Sequence, residues 1–311
     1  MMNYMEKINF SNDWVDKSIP VISITEILNF LEHPFDSHLV AEKTFEKHYN
    51  NPESEYYHMT VEQIVEKWSN KGSESCRYGS MLDDYIGIIL TGTDNDMKLY
   101  KLDNAYDYDE RLKGLCDSFD NFYALMMKSG DVEFIDRERT VYLKTTITNS
   151  QTNIQEDYYV KGRFDALFYN KRTNKYIIID WKSSGSIDKV PSKYTGKFLG
   201  PMYQYPELNY YRYTNQLHFY KKALLERYLP KGTQEDDVVV MIVNLPGKLI
   251  KESGQNYMTH LAGMKYDSFL LDRIFNFGIQ KKILETQMEN KSDDKEEPQI
   301  VEKSDDVTNL F

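Results

Sequence analysis

Residues 162–182 read Gly162-Arg-Phe-Asp165-Ala-Leu-Phe-Tyr-Asn170-Lys-Arg-Thr-Asn-Lys175-Tyr-Ile-Ile-Ile-Asp180-Trp-Lys182. Both ends are rich in β-branched and aromatic residues, and the polar run from Asn170 to Lys175 has turn chemistry. The pattern predicts a strand over 158–169 and another over 176–181, joined as a hairpin. Side chains two apart share a strand face, so Asp180 and Lys182 point the same way at the end of an apolar run. The hairpin brings Asp165 onto the neighbouring strand. Two carboxylates and an ammonium at the edge of a core are costly unless they are paired or hold a cation.

Working outward, residues 132–143 alternate as a further strand. Residues 237–245 form a buried one closed by Pro246-Gly247. Helical periodicity dominates the first 130 residues. Ser23-Ile-Thr-Glu26 has the form of a capping box, and helical spacing continues after Pro34 through Leu39 and Phe45. A helix starts at Thr60 and runs to Trp68, where Gly72 and Ser73 are expected to break it. Others cover 80–90, 109–127, 213–228 and 267–288. Residues 183–209 read as a long loop, a length that tends to be functional or mobile. The expected fold is α/β, a mixed central sheet flanked by helices. The expected division is a helical N-terminal part (1–70), a core with accessory helices (71–289) and an acidic flexible tail (290–311).

Of 311 residues, 41% are hydrophobic and 14% aromatic, enough to bury a large core. The net charge of −11 is unevenly spread. Residues 285–311 hold nine acids and three lysines, whereas 161–197 hold nine Lys or Arg against three Asp. A local basic stretch attracts phosphates even in an acidic chain. Cys76 and Cys116 form no CxxC, and no iron–sulfur cluster is expected. No apolar run is long enough to span a bilayer, and the start of the chain lacks a signal-peptide core. A cytoplasmic protein is expected.

Two carboxylates with backbone oxygen and water make a hard oxygen site suited to Mg²⁺ or Mn²⁺. The arrangement G-x-x-D, then hydrophobic-D-x-K, resembles the PD-(D/E)XK nuclease superfamily. The RecB-like branch adds Q-x-x-x-Y on a helix, matched here by Gln216-Leu-His-Phe-Tyr220. Pro206, Leu208, Asn209 and Tyr213 fit the lead-in of phage members of that branch. The resemblance implies a restriction-endonuclease-like core acting as a metal-dependent deoxyribonuclease, an exonuclease in DNA replication, recombination or repair. It assigns catalysis to Asp165, Asp180, Lys182, Gln216 and Tyr220, and the metal to Asp165, Asp180, the backbone of Trp181 and an upstream helix residue. For that residue the branch has G-x-x-x-H-x-x-I-E. Here Gly79-Ser-Met-Leu-Asp83-Asp84-Tyr-Ile-Gly87 puts Asp83 at the His position and Gly87 at the Glu position. Asp84 is a substitute for Asp83, and Glu138 resembles a further acidic position.

DNA is the implied partner, with Ser183, Ser184 and 189–197 as phosphate contacts and Tyr203, Tyr205, Tyr210 and Tyr211 as stacking candidates. The tail ends in Leu310-Phe311, a tip suited to docking replication or recombination proteins. Loss of the His and Glu leaves one alternative open, a nuclease-fold DNA-binding or scaffold protein with an impaired site.

Overall fold

Two sheets, rather than one, stand at the centre of this computed structural model, which describes residues 8–193, 195–248, 257–261 and 264–293. β1 (Val21–Ser23) leads into α1 (Ile24–Asn29), where the Ser23 hydroxyl accepts the Glu26 amide, one half of the expected capping box, while the Glu26 carboxylate pairs with Lys282 at 2.8 Å instead. Beyond Pro34 the chain re-enters helix as α2 (Ser37–His48). α3 (Val61–Thr91) starts at a Thr60–Gln63 capping box and passes through Gly72 and Ser73 unbroken. The helices expected over 60–68 and 80–90 are therefore one. An exposed glycine costs a helix about 1 kcal/mol, and the cap with the buried residues Ile64 and Tyr78 to Gly87 outweighs it. α4 (Asp94–Asp103), absent from the periodicity reading, is opened by a Thr93–Asp96 capping box. α5 (Glu110–Met127) is capped by Asp109.

The strands expected over 132–143 and 158–169 are each cut in two. β2 (Val132–Arg137) and β3 (Thr140–Thr148) are separated at Glu138, whose φ of 50° is left-handed and cannot continue a pleat. β4 (Gln155–Arg163) and β5 (Ala166–Asn170) are separated at Phe164 and Asp165. The two cuts fall at one level. Arg137 pairs with Ala166 on one side and Thr140 with Arg163 on the other, while the Glu138 amide donates to the Asp165 carbonyl at 3.2 Å. The antiparallel ribbon thus folds across a crease and belongs to two sheets.

The first sheet runs β1-β4-β3, with β1 parallel to β4. The second runs β2-β5-β6-β7-β8, adding β6 (Lys175–Lys182), β7 (Val238–Asn244) and β8 (Met258–Leu261). β6 and β7 are parallel and the other pairs antiparallel. The hairpin β5–β6 is the one the polar turn predicts, with Asn174 left-handed in the turn. Along β6, Ile178 enters one core with Leu167, Val240 and Ile242, while Ile179 enters a second with Phe168 and Val243. Burial on both faces explains its unbroken Ile run. The first core is closed by α1, α6 (Asn209–Ala223) and α7 (Ser268–Asp293), and the second by α3 and α5.

α7 carries the chain to Asp293; residues 294–311, with most of the expected acidic tail, lie outside the described residues. No helix among the described residues is long and apolar enough to cross a membrane.

Candidate active site

Continuing the β5–β6 register one step beyond Ala166 and Ile179 sets Asp165 opposite Asp180. The Trp181 amide donates to Asp165 Oδ2 at 2.7 Å, fixing that carboxylate across the strand end. Asp180 is 1% exposed. Lys182 Nζ lies 2.7 Å from Asp180 Oδ2, a direct ion pair at the buried strand end. The ammonium also sits 4.5 Å from the Tyr213 ring centroid on α6. On the same helix, Gln216 Nε2 donates to the Tyr220 hydroxyl at 2.8 Å, and Tyr220 is buried against Phe164. One glycine makes this approach possible. A Cβ on Gly162 would stand 2.7–2.8 Å from Phe219, Ile24 and Tyr220, so α6 meets β4 only because residue 162 has none.

The charges do not balance. With both carboxylates ionised, Asp165, Asp180 and Lys182 sum to one negative charge in a half-buried corner. Desolvation first, and then the Asp180 carboxylate, push the Asp165 pKa up to about 7. Burial by itself would pull the Lys182 ammonium down, but the adjoining Asp180 and Asp165 outweigh it and hold it above the ordinary lysine range. Desolvation raises the Tyr220 hydroxyl too, and the Asp180 charge adds to it, so the phenol stays protonated.

The upstream residues form a second group. Arg137 Nη2 lies 3.2 Å from Asp83 Oδ1, 3.0 Å from Glu138 Oε2 and 3.3 Å from the Asp83 carbonyl. Arg163 reaches the other Glu138 oxygen at 3.3 Å. Asp83 is therefore occupied by a guanidinium. Desolvation still raises its pKa, with Arg137 opposing, and its charge reaches Asp165. Asp84 is exposed. No group of three His, Cys, Asp or Glu among the described residues is close enough to hold one ion. Asp165 and Asp180 stand together, whereas Asp83 and Glu138 gather around Arg137.

Arg137 escaped the sequence reading. Its signal was Gly87, at a helix position facing the site where the matched pattern has a long side chain. The loop after β6 is tied down at several points. Leu199 donates to the Leu31 carbonyl at 2.6 Å, Glu207 to the Gly196 carbonyl at 2.9 Å, and Phe198 and Met202 are buried. Ser184 donates to Asn244 at 3.3 Å. Tyr210 belongs to the core, whereas Tyr203 is 57% exposed. A cavity of about 340 Å³ lined by Glu32, Phe35, Ser184, Asn209 and Tyr213 adjoins the Lys182 side of the site. A cavity of about 660 Å³ beside Glu235, Asp236 and Tyr266 touches none of the carboxylates just described. Comparison with family models finds no match for this chain, and comparison with curated protein sequences finds none either.

Proposed function

We propose that this chain is a Mg²⁺- or Mn²⁺-dependent deoxyribonuclease of the PD-(D/E)XK type, RecB-like branch, acting as an exonuclease in phage or microbial DNA replication, recombination or repair. The observation that carries the reading is a pair of adjoining carboxylates, Asp165 and the buried Asp180, with one lysine too few to neutralise both when both are ionised. Those features fit a divalent cation, which Asp165, Asp180 and a backbone oxygen of Trp181 would hold. When bound, such an ion polarises a phosphodiester oxygen and lowers the pKa of water. Lys182 then places a fixed positive charge where negative charge develops on the phosphate. The Tyr220 hydroxyl orients the Gln216 amide beside it. In this reading the five-stranded sheet with α3, α5 and α6 is the restriction-endonuclease-like core.

Incubating the purified protein with end-labelled single- and double-stranded DNA, with and without Mn²⁺, tests this. Cleavage that needs the ion and is lost in Asp180→Ala, with an unchanged circular-dichroism spectrum, is the expected result. An Asp180→Ala chain as active as wild type rejects the assignment. A second reading, a DNA-binding or scaffold protein with an impaired site, is favoured by the engagement of Asp83 with Arg137. It predicts DNA retention without cleavage in the same assay.

A further inference from the structure

Gly87 and Arg137 form a notch and its filling. A Cβ on residue 87 would lie 1.6 Å from Arg137 Nη1 and 2.8 Å from Cζ, so the guanidinium occupies the volume a side chain of α3 would take. Its side chain is only 15% exposed. Nη2 donates to the Asp83 backbone carbonyl and lies within ion-pair range of the Asp83 and Glu138 carboxylates, two acids from different elements, while no hydrogen bond or ion pair among the described residues involves Nε or Nη1. Glu138 is held there by a left-handed backbone and a second contact to Arg163. A cation bracketed by two carboxylates, next to an unbalanced Asp165–Asp180 pair, has the charge pattern of a site for two positive centres. One of the two is already part of the chain.

We infer that Arg137 is the built-in second cation of the site: Asp83 and Glu138 are positioning residues for its guanidinium, and the chain takes a single divalent ion, at Asp165 and Asp180. With Nη1 in the Gly87 notch and Nη2 on the acids, the Nε donor is then available to a single phosphate oxygen of the nucleic acid. This rests on the nuclease reading for its substrate but not for its ion count.

Calorimetric titration of Mn²⁺ into the full chain decides it. Wild type should bind one ion, lost in Asp180→Ala. Arg137→Ala should uncover the Asp83–Glu138 pair and bind a second, weaker ion, and Asp83→Asn added to Arg137→Ala should return the count to one. Arg137→Lys keeps the charge and should stay at one ion. Two ions bound by wild type overturn the inference, whatever the variants do. So does an Arg137→Ala chain that melts cooperatively but binds no more than wild type. A wild type that binds no Mn²⁺ defeats the nuclease reading, and an Arg137→Ala chain that then takes up one ion still supports the role of Arg137. With Ca²⁺ replacing Mn²⁺, Arg137→Ala should also bind DNA at least tenfold more weakly, with a shallower salt dependence. Unchanged affinity and slope remove the phosphate contact.

Discussion

Burial and the Asp180 carboxylate raise the Asp165 pKa to about 7 in the folded chain, against about 3.9 in an unfolded one. The folded state therefore holds this proton more tightly. Its stabilising contribution is complete below about pH 4 and is lost as pH rises through about 7. Asparagine cannot ionise, so metal-free Asp165→Asn should melt above wild type at pH 8, with the gap shrinking at pH 5. Thermal melts at the two pH values check this, and an equal gap at both would mean that Asp165 does not titrate in this window. Lys182→Ala should still take up Mn²⁺ but turn over roughly a hundredfold more slowly, the scale of one preorganised charge. Single-turnover cleavage beside calorimetry separates the two effects, and normal turnover would make Lys182 structural. Asp165, Asp180 and Lys182 were legible because strand period and a short hairpin fix their directions within one local unit. Arg137 was not, because its place depends on a gap left by Gly87, fifty residues away in the chain.

Among the elements, β5, β6 and α5 follow from local pattern, as apolar period and caps agree there. The sheet change was hidden. The alternation through 132–143 and 158–169 gives no sign of a crease, since both sides of it are half-buried strand and the departures, a register shift between Phe134 and Asp136 and the left-handed Glu138, are backbone events. α3 was hidden for the opposite reason: Gly72 and Ser73 are local breakers overruled by a long helix anchored at both ends. Nothing lies within 4 Å of a Cβ at residue 72. Gly72→Ala should accordingly raise stability by about 0.5–1 kcal/mol in urea melts; a loss would show that residue 72 is not helical. Gly162→Ala has the reverse sign. Its methyl would meet three ring or methyl carbons at under 3 Å, so a loss of about 1–3 kcal/mol is expected. Because α6 must back away, cleavage should fall as well. Wild-type stability in that variant would show that α6 does not rest on β4 as described.

For the whole molecule, two cores share one sheet, and β6 contributes to both. Loss of either leaves an apolar face of the same strands in water, so the two should melt together. Trp14, against Tyr159 and Tyr228, reports the first core, and Trp181, against Phe119 and Phe122, the second. With Trp68 and the other tryptophan replaced by Phe in each case, the two fluorescence transitions in urea should have coincident midpoints once corrected for each variant's stability. Separated transitions would make the cores independent. One part of the molecule stands apart from that cooperation. Residues 69–77, in the middle of α3, are exposed on every side for nine consecutive positions. The segment is a strut in water, with α2 carried on its far end by Phe35, Trp68 and their neighbours. An ion pair from Arg111 of α5 to Glu74, at 2.9 Å, ties it to the body, and beyond that tie the rod acts as a lever. From Gly72 to the start of the helix is about 16 Å at 1.5 Å per residue, so a 10° bend there swings the tip by about 3 Å. Phe35, on the rim of the cavity beside Lys182, rides on that arm. The clearance above the site is thus shared between the stiffness of this helix and the ties of residues 31–33 to Leu199 and Glu207.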